Sequence, residues 1–180
     1  MFKDFDISSF KKMKPPGDNT FDAMQEIKAL KKIPIRKTFV KEFDDQESAF
    51  KKTAEREGIE NYDNSVAKKL IEKSAPVILK LKKHFDRPRP KVLAKKMNIK
   101  MKDIEMASMK TPSYPSGHST QGMLIGLVLS DKHPKSKSAF MKTANNISDS
   151  RNVAHAHYKS DSDMGKKLGK SMYNHIKNKI

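Results

Sequence analysis

The chain has no cysteine. Disulfides and zinc–thiolate sites are therefore excluded, and nothing implies an oxidising compartment. Long apolar runs are also missing. The longest, around MLIGLVL, covers about seven residues, against the roughly 20 needed to span a bilayer. The opening stretch, MFKDFDISSFKKMKPPGD, has no apolar h-region of the kind a secretory signal needs. The expectation is a soluble protein that stays in the cytoplasm. Glycine and proline are few, 7 and 9 in 180 residues, and no segment shows convincing strand alternation. An all-α fold is expected, a single-domain helical bundle. Hydrophobic residues make up 36%, about 40% with glycine, below the usual 45–50%, so the core is modest.

Acidic charge is scarce too. There are 21 Asp plus Glu against 38 Lys plus Arg, a formal charge of +17. Such a surface attracts anions: phosphate compounds, nucleic acid or an anionic membrane face. Most of the lysines read as solvated surface, and no nucleic-acid module is recognisable. Arginine is rarer still, five residues against 33 lysines. In such a chain arginine is expected where a planar fork matters, in bidentate recognition of carboxylate or phosphate. Three of the five, Arg87, Arg89 and Arg151, fall in the two segments richest in chemistry.

Residues 1–19 are polar, end in Pro15-Pro16-Gly17, and read as an arm. One domain, 20–180, follows. Asp18 or Asn19 can cap a helix over 20–32, which Pro34 ends. A second helix is expected over 38–57, up to Gly58. A third runs from Asn64 to Phe85, split or kinked at Pro76 and stopped by RPRP. A short helix falls within 92–108. Three more cover 118–130, 135–149 and 155–178.

Three segments carry chemistry. In KKHFDRPRP, Lys82 and Arg89 are seven residues apart and could form an anion clamp, or simply the basic end of a helix. In SYPSGHST, Pro115 and Gly117 force a turn and a helix follows at once. Unpaired N–H groups at that helix start make an oxyanion site, with Ser116 adding a hydroxyl and His118 a titratable proton. A plain helix cap would look the same. In SRNVAHAHYKSD, His157 and Asp161 stand at i and i+4. The carboxylate can fix the imidazole tautomer and free the other nitrogen to attack. A metal reading would use His155, His157 and Asp161, but the two histidines face different ways on a helix.

Together the segments match the pattern K-x6-RP, PSGH, SR-x5-H-x3-D, as Lys82…Arg89-Pro90, Pro115-Ser116-Gly117-His118 and Ser150-Arg151…His157…Asp161. The chain resembles the type 2 phosphatidic acid phosphatase superfamily, above all its soluble bacterial class A non-specific acid phosphatases. The resemblance implies a helical bundle and metal-free phosphoryl transfer through a phosphohistidine. It implies His157 as nucleophile, Asp161 as its orienting carboxylate and His118 as acid, then base. Lys82, Arg89, Arg151, Ser116 and the Gly117 N–H would hold the phosphoryl oxygens. No metal and no cofactor is implied, and vanadate would inhibit. The superfamily includes vanadium haloperoxidases, in which vanadate is the cofactor, and membrane lipid phosphatases, so both alternatives stay open. The expected partner is a small phosphomonoester, with no specific nucleic acid. Peripheral contact with an anionic membrane and a dimeric state remain open. Arg87 falls outside the preferred register and reads as support or surface. His155 reads as structural.

Overall fold

Thr20 starts the first long helix. Its hydroxyl accepts the Ala23 N–H at 3.2 Å and satisfies a donor that the first turn leaves free. The cap is thus one residue beyond Asn19 and two beyond Asp18. In the computed structural model, which describes residues 1–179, the chain forms α1 (Ser8–Lys11), α2 (Phe21–Lys31), α3 (Lys37–Asp44), α4 (Gln46–Arg56) and α5 (Asn64–Phe85). Then follow α6 (Pro90–Lys96), α7 (Gly117–Lys132), α8 (Lys137–Val153) and α9 (Lys159–Ile176). No strand occurs among the described residues. The last residue of the expected 20–180 domain, residue 180, lies outside them.

Several boundaries differ from expectation. The helix expected over 38–57 is two helices. Asp45 is extended, with ψ 105°, and its carboxylate accepts the Ser48 N–H, so the chain stops and restarts there. Pro76 does not break α5. Pro76 and Glu72 are both exposed, so the Glu72 carbonyl that loses its partner is left facing water. The helix expected within 92–108 starts at Pro90, a favourable first helical position, and ends at Lys96. The last helix begins at Lys159, not 155, because His155 has φ 55° and cannot continue a helix. Residues 1–19, expected as an arm, lie against the core: Phe2 and Phe10 are buried, and the Tyr114 hydroxyl donates to the Met13 carbonyl at 2.6 Å.

The core centres on α7. Every residue from Ser119 to Gly126 is buried, which demands neighbours on all sides. α8, α9 and α5 supply them. Leu124, Ile125 and Leu129 meet Ile147, Phe140 and Leu168 there. Each such side chain contributes about 1.5–3 kcal/mol of transfer free energy. α7 and α9 touch backbone to backbone. A Cβ on Gly165 would lie 2.6 Å from the Ser116 carbonyl, and one on Gly169 would lie 2.4 Å from that of Thr120. Neither obstacle is a movable side-chain end.

Gly169→Ala should therefore cost about 1–3 kcal/mol, the usual penalty of overpacking. A urea melt measures it; an unchanged midpoint would show that α9 can slide away from α7 freely.

Candidate active site

The chain reverses between α8 and α9 and presents His157 in that turn, two residues before α9 begins. Asp161 sits in the first turn of α9. Its Oδ2 accepts the Tyr158 backbone N–H at 3.1 Å and so caps the helix. The same oxygen lies 3.1 Å from His157 Nδ1. The two side chains do meet, but through a cap on a turn, not along one helix face.

The tautomer of His157 follows from its neighbours. Arg89 Nη1 lies 2.8 Å from His157 Nε2, and a guanidinium can only donate. Nε2 is therefore the acceptor, and Nδ1 carries the proton given to Asp161. Burial opposes ionisation of Asp161, but its contacts with His157, Arg87 and Ser113 outweigh that and hold its pKa below the ordinary carboxylate value. Burial drives the His157 pKa down in turn, with Arg89 and Lys82 adding to the effect against the pull of Asp161. The result is a neutral imidazole with its lone pair on Nε2, next to a cationic wall.

That lone pair borders a cavity of about 200 Å³, lined by Lys82, Arg89, Gly117, His118 and His157 among others. Ala75, Ile78 and Leu79 of α5 form its apolar side, with Leu79 41% exposed. Lys82 and Arg89 are buried, yet neither pairs with a carboxylate among the described residues. Backbone carbonyls hold them instead. Lys82 donates to Pro112, and Arg89 donates to Thr111 (2.9 Å), Ala156 (3.0 Å) and Ser108 (3.0 Å). Burial first, then the nearby Arg89, pulls the Lys82 ammonium down to about 7. Buried cations without counter-ions are expensive unless an anion joins them.

Arg151, Ser116 and Asp161 do not line the cavity; they are buried in the structure around it. Arg151 Nη1 donates to Asp44 Oδ1 at 2.7 Å, while its buried Nη2 has no partner. Ser116 caps α7 by accepting from the Ser119 N–H and hydroxyl, which leaves its own proton uncommitted. His118 Nε2–H donates to the Asp44 carbonyl at 3.0 Å. Burial, reinforced by Arg151, lowers the His118 pKa to about 4. His155 stands apart: its two ring nitrogens lie 2.8 Å from the Lys102 and Ile33 carbonyls. Among the described residues, no three His, Asp or Glu side chains form a metal-binding group.

Several members of the site stand outside the three-part motif. Arg87 is 2% exposed and donates to Asp161 Oδ1 at 2.6 Å. Ser113 donates to Asp161 Oδ2. Glu26, Asp44 and Asn152 hold Arg87, Arg151 with His118, and the His157 carbonyl respectively. The scarcity of arginine was the one signal that pointed to Arg87. Glu26 and Asp44 lie in an N-terminal region without motifs, and nothing in the sequence distinguishes them.

The chain is similar to known phosphatases over part of its sequence and in its fold. No family model matches the chain. Over 88 residues it is 36% identical to a non-specific acid phosphatase of Salmonella typhimurium and 35% identical to one of Salmonella typhi. Each match covers 49% of this chain, and the chain spans only 35% of the length of these curated relatives. A transmembrane PAP2-type phosphatidylglycerolphosphate phosphatase from Bacillus subtilis shares the fold, with TM-score 0.62 and 17% identity over 99% of this chain and 96% of that one. Among the described residues no helix is long and apolar enough to cross a membrane.

The lowered Lys82 pKa sets a pH dependence. The ammonium is charged below about 7 and neutral above it. Sulfate keeps its charge across that range, so its affinity should fall as pH rises from 6 to 8, by about tenfold if Lys82 contributes ~1.4 kcal/mol. Calorimetric titration at the two pH values measures this. In Lys82→Met the difference should disappear; if it persists, another group carries it.

Proposed function

We propose that the protein is a metal-independent phosphatase that hydrolyses phosphomonoesters through a phosphohistidine. One observation carries the reading: His157 is held with Nδ1–H on Asp161, which leaves a lone pair on Nε2 among buried cations that lack counter-ions. The comparisons support phosphatase chemistry in general, and the finer mechanism follows from the residues.

On binding, the phosphoryl oxygens take up Arg89, Lys82 and the Gly117 N–H at the cavity wall, and the Ser116 hydroxyl and Arg151 Nη2 from the buried layer just behind it. Charge spreads over these oxygens in the transition state, and fixed donors stabilise it without reorganising. Nε2 then forms a bond to phosphorus as the ester P–O bond breaks. Asp161 stabilises the cationic ring that results. His118 gives the leaving oxygen a proton, then takes one from the water that attacks phosphorus and breaks the P–N bond. At rest His118 is neutral at ordinary pH. A bound phosphate dianion raises its pKa and supplies the acid form. Small phosphomonoesters suit a cavity of about 200 Å³, which admits a phosphoryl group and leaves the rest of the ester at the mouth.

An aryl phosphate should be turned over in the presence of a chelator, and vanadate should inhibit. His157→Ala should lower kcat by roughly 10⁴-fold or more. His118→Ala should cost about 10²–10⁴-fold for a poor leaving group and much less for a good one. Turnover that needs added metal contradicts the proposal. Halide oxidation by peroxide only after vanadate loading would reassign the site to a haloperoxidase.

A further inference from the structure

Asp161 divides its duties between its two oxygens. Oδ2 takes His157, Ser113 and the Tyr158 N–H, while Oδ1 takes only Arg87. Arg87 is itself held at both terminal nitrogens, while its buried Nε has no partner among the described residues. Nη1 also donates to Ser160 Oγ at 2.8 Å, Nη2 donates to Glu26 Oε2 at 2.7 Å, and the guanidinium carbon lies 3.7 Å from the Tyr158 ring centroid. Glu26 in turn accepts the Ser160 N–H at 3.0 Å and hydroxyl at 2.9 Å, which ties α2 to the first turn of α9. A continuous chain Glu26–Arg87–Asp161–His157 results.

We propose that Glu26 and Arg87 form a positioning unit for the reaction: they fix the Asp161 carboxylate and, through it, the ring orientation and tautomer of His157. This rests on the phosphatase reading of the site. Neither residue touches the cavity, so neither is catalytic. The unit needs arginine. A lysine is a point charge that cannot bridge two carboxylates while stacking on an aromatic ring. Without Arg87, Oδ1 has no donor, and a buried carboxylate with one idle oxygen binds a proton more readily. The other charges facing Asp161 are His157, paired with it, and Lys82 and Arg89, within Coulombic reach; Glu26 stands behind Arg87.

The test compares Arg87→Lys and Glu26→Gln with the unaltered chain, using an aryl phosphate. Glu26 is partly exposed, and its glutamine variant keeps acceptor oxygen for Ser160, so it should fold. Arg87→Lys should lower kcat about 10–100-fold, as loss of an orienting partner does elsewhere, with KM changed by less than about threefold. The acidic limb of kcat should move up by about one pH unit, because Asp161 then accepts a proton more easily. Glu26→Gln should lower kcat by a smaller factor, and that factor should vanish in an Arg87→Met background. A wild-type kcat and acidic limb in Arg87→Lys, or additive effects in the double variant, would overturn the proposal. Proton NMR of the His157 Nδ1–H is independent of turnover. Its low-field signal should shift or broaden in Arg87→Lys, and an identical spectrum would refute the positioning role whatever the activity. Absent turnover in the unaltered chain, together with a shifted signal in Arg87→Lys, would defeat the phosphatase reading alone.

Discussion

The buried carboxylate of Asp161 is the constraint on which the rest of the site depends. It collects donors from a turn, a helix start, the loop before α7 and the loop after α5. Leaving a charge in a dry interior is costly, and only this set of donors keeps it ionised. Each donor is thereby placed as well. Ser113 holds the loop that leads into PSGH, Tyr158 begins α9, and Arg87 fixes the approach to Arg89. The Ser116 N–H completes the arrangement by donating to the Asp161 carbonyl at 3.0 Å. One residue thus joins all three sequence segments.

Around that centre the charge does not balance. Arg87 is matched by Asp161 and Glu26, and Arg151 by the half-exposed Asp44. Lys82 and Arg89 rest on carbonyl dipoles. The strain falls on the cationic side, where burial lowers the Lys82 and His118 pKa values. An anion in the cavity relieves both at once.

The sequence showed the chemistry more clearly than the framework around it. The motif residues were legible because their types are rare in this chain and their spacing is local. His157 and Asp161 were paired on helical spacing, and they do meet, although His157 lies outside the helix. The positive φ of His155, with its ring held by the Ile33 and Lys102 carbonyls, delays the start of α9. Helix periodicity located most elements, but it could not show the break at Asp45, which depends on a single extended residue, or the continuity through Pro76, which depends on the carbonyl four residues earlier facing water. Glu26, Asp44 and Ser113 carry no local signal because their partners Arg87, Arg151 and Asp161 lie 61, 107 and 48 residues away in turn. No local pattern encodes such distances. Rarity points to Arg87 and the K-x6-RP register does not, because that register describes the cavity lining and not its support.

The backbone seam between α7 and α9 bears on how this molecule can change over generations. With Gly165 and Gly169 pressed against main-chain atoms, the separation between the PSGH turn and the His157–Asp161 turn is set by the fold itself. Mutation can hardly adjust it without a loss of stability. The α5 side of the cavity is different: Leu79, 41% exposed at its mouth, can be exchanged with little structural consequence. A lineage built on this scaffold is free to drift at the cavity mouth, while the spacing of the two turns stays frozen.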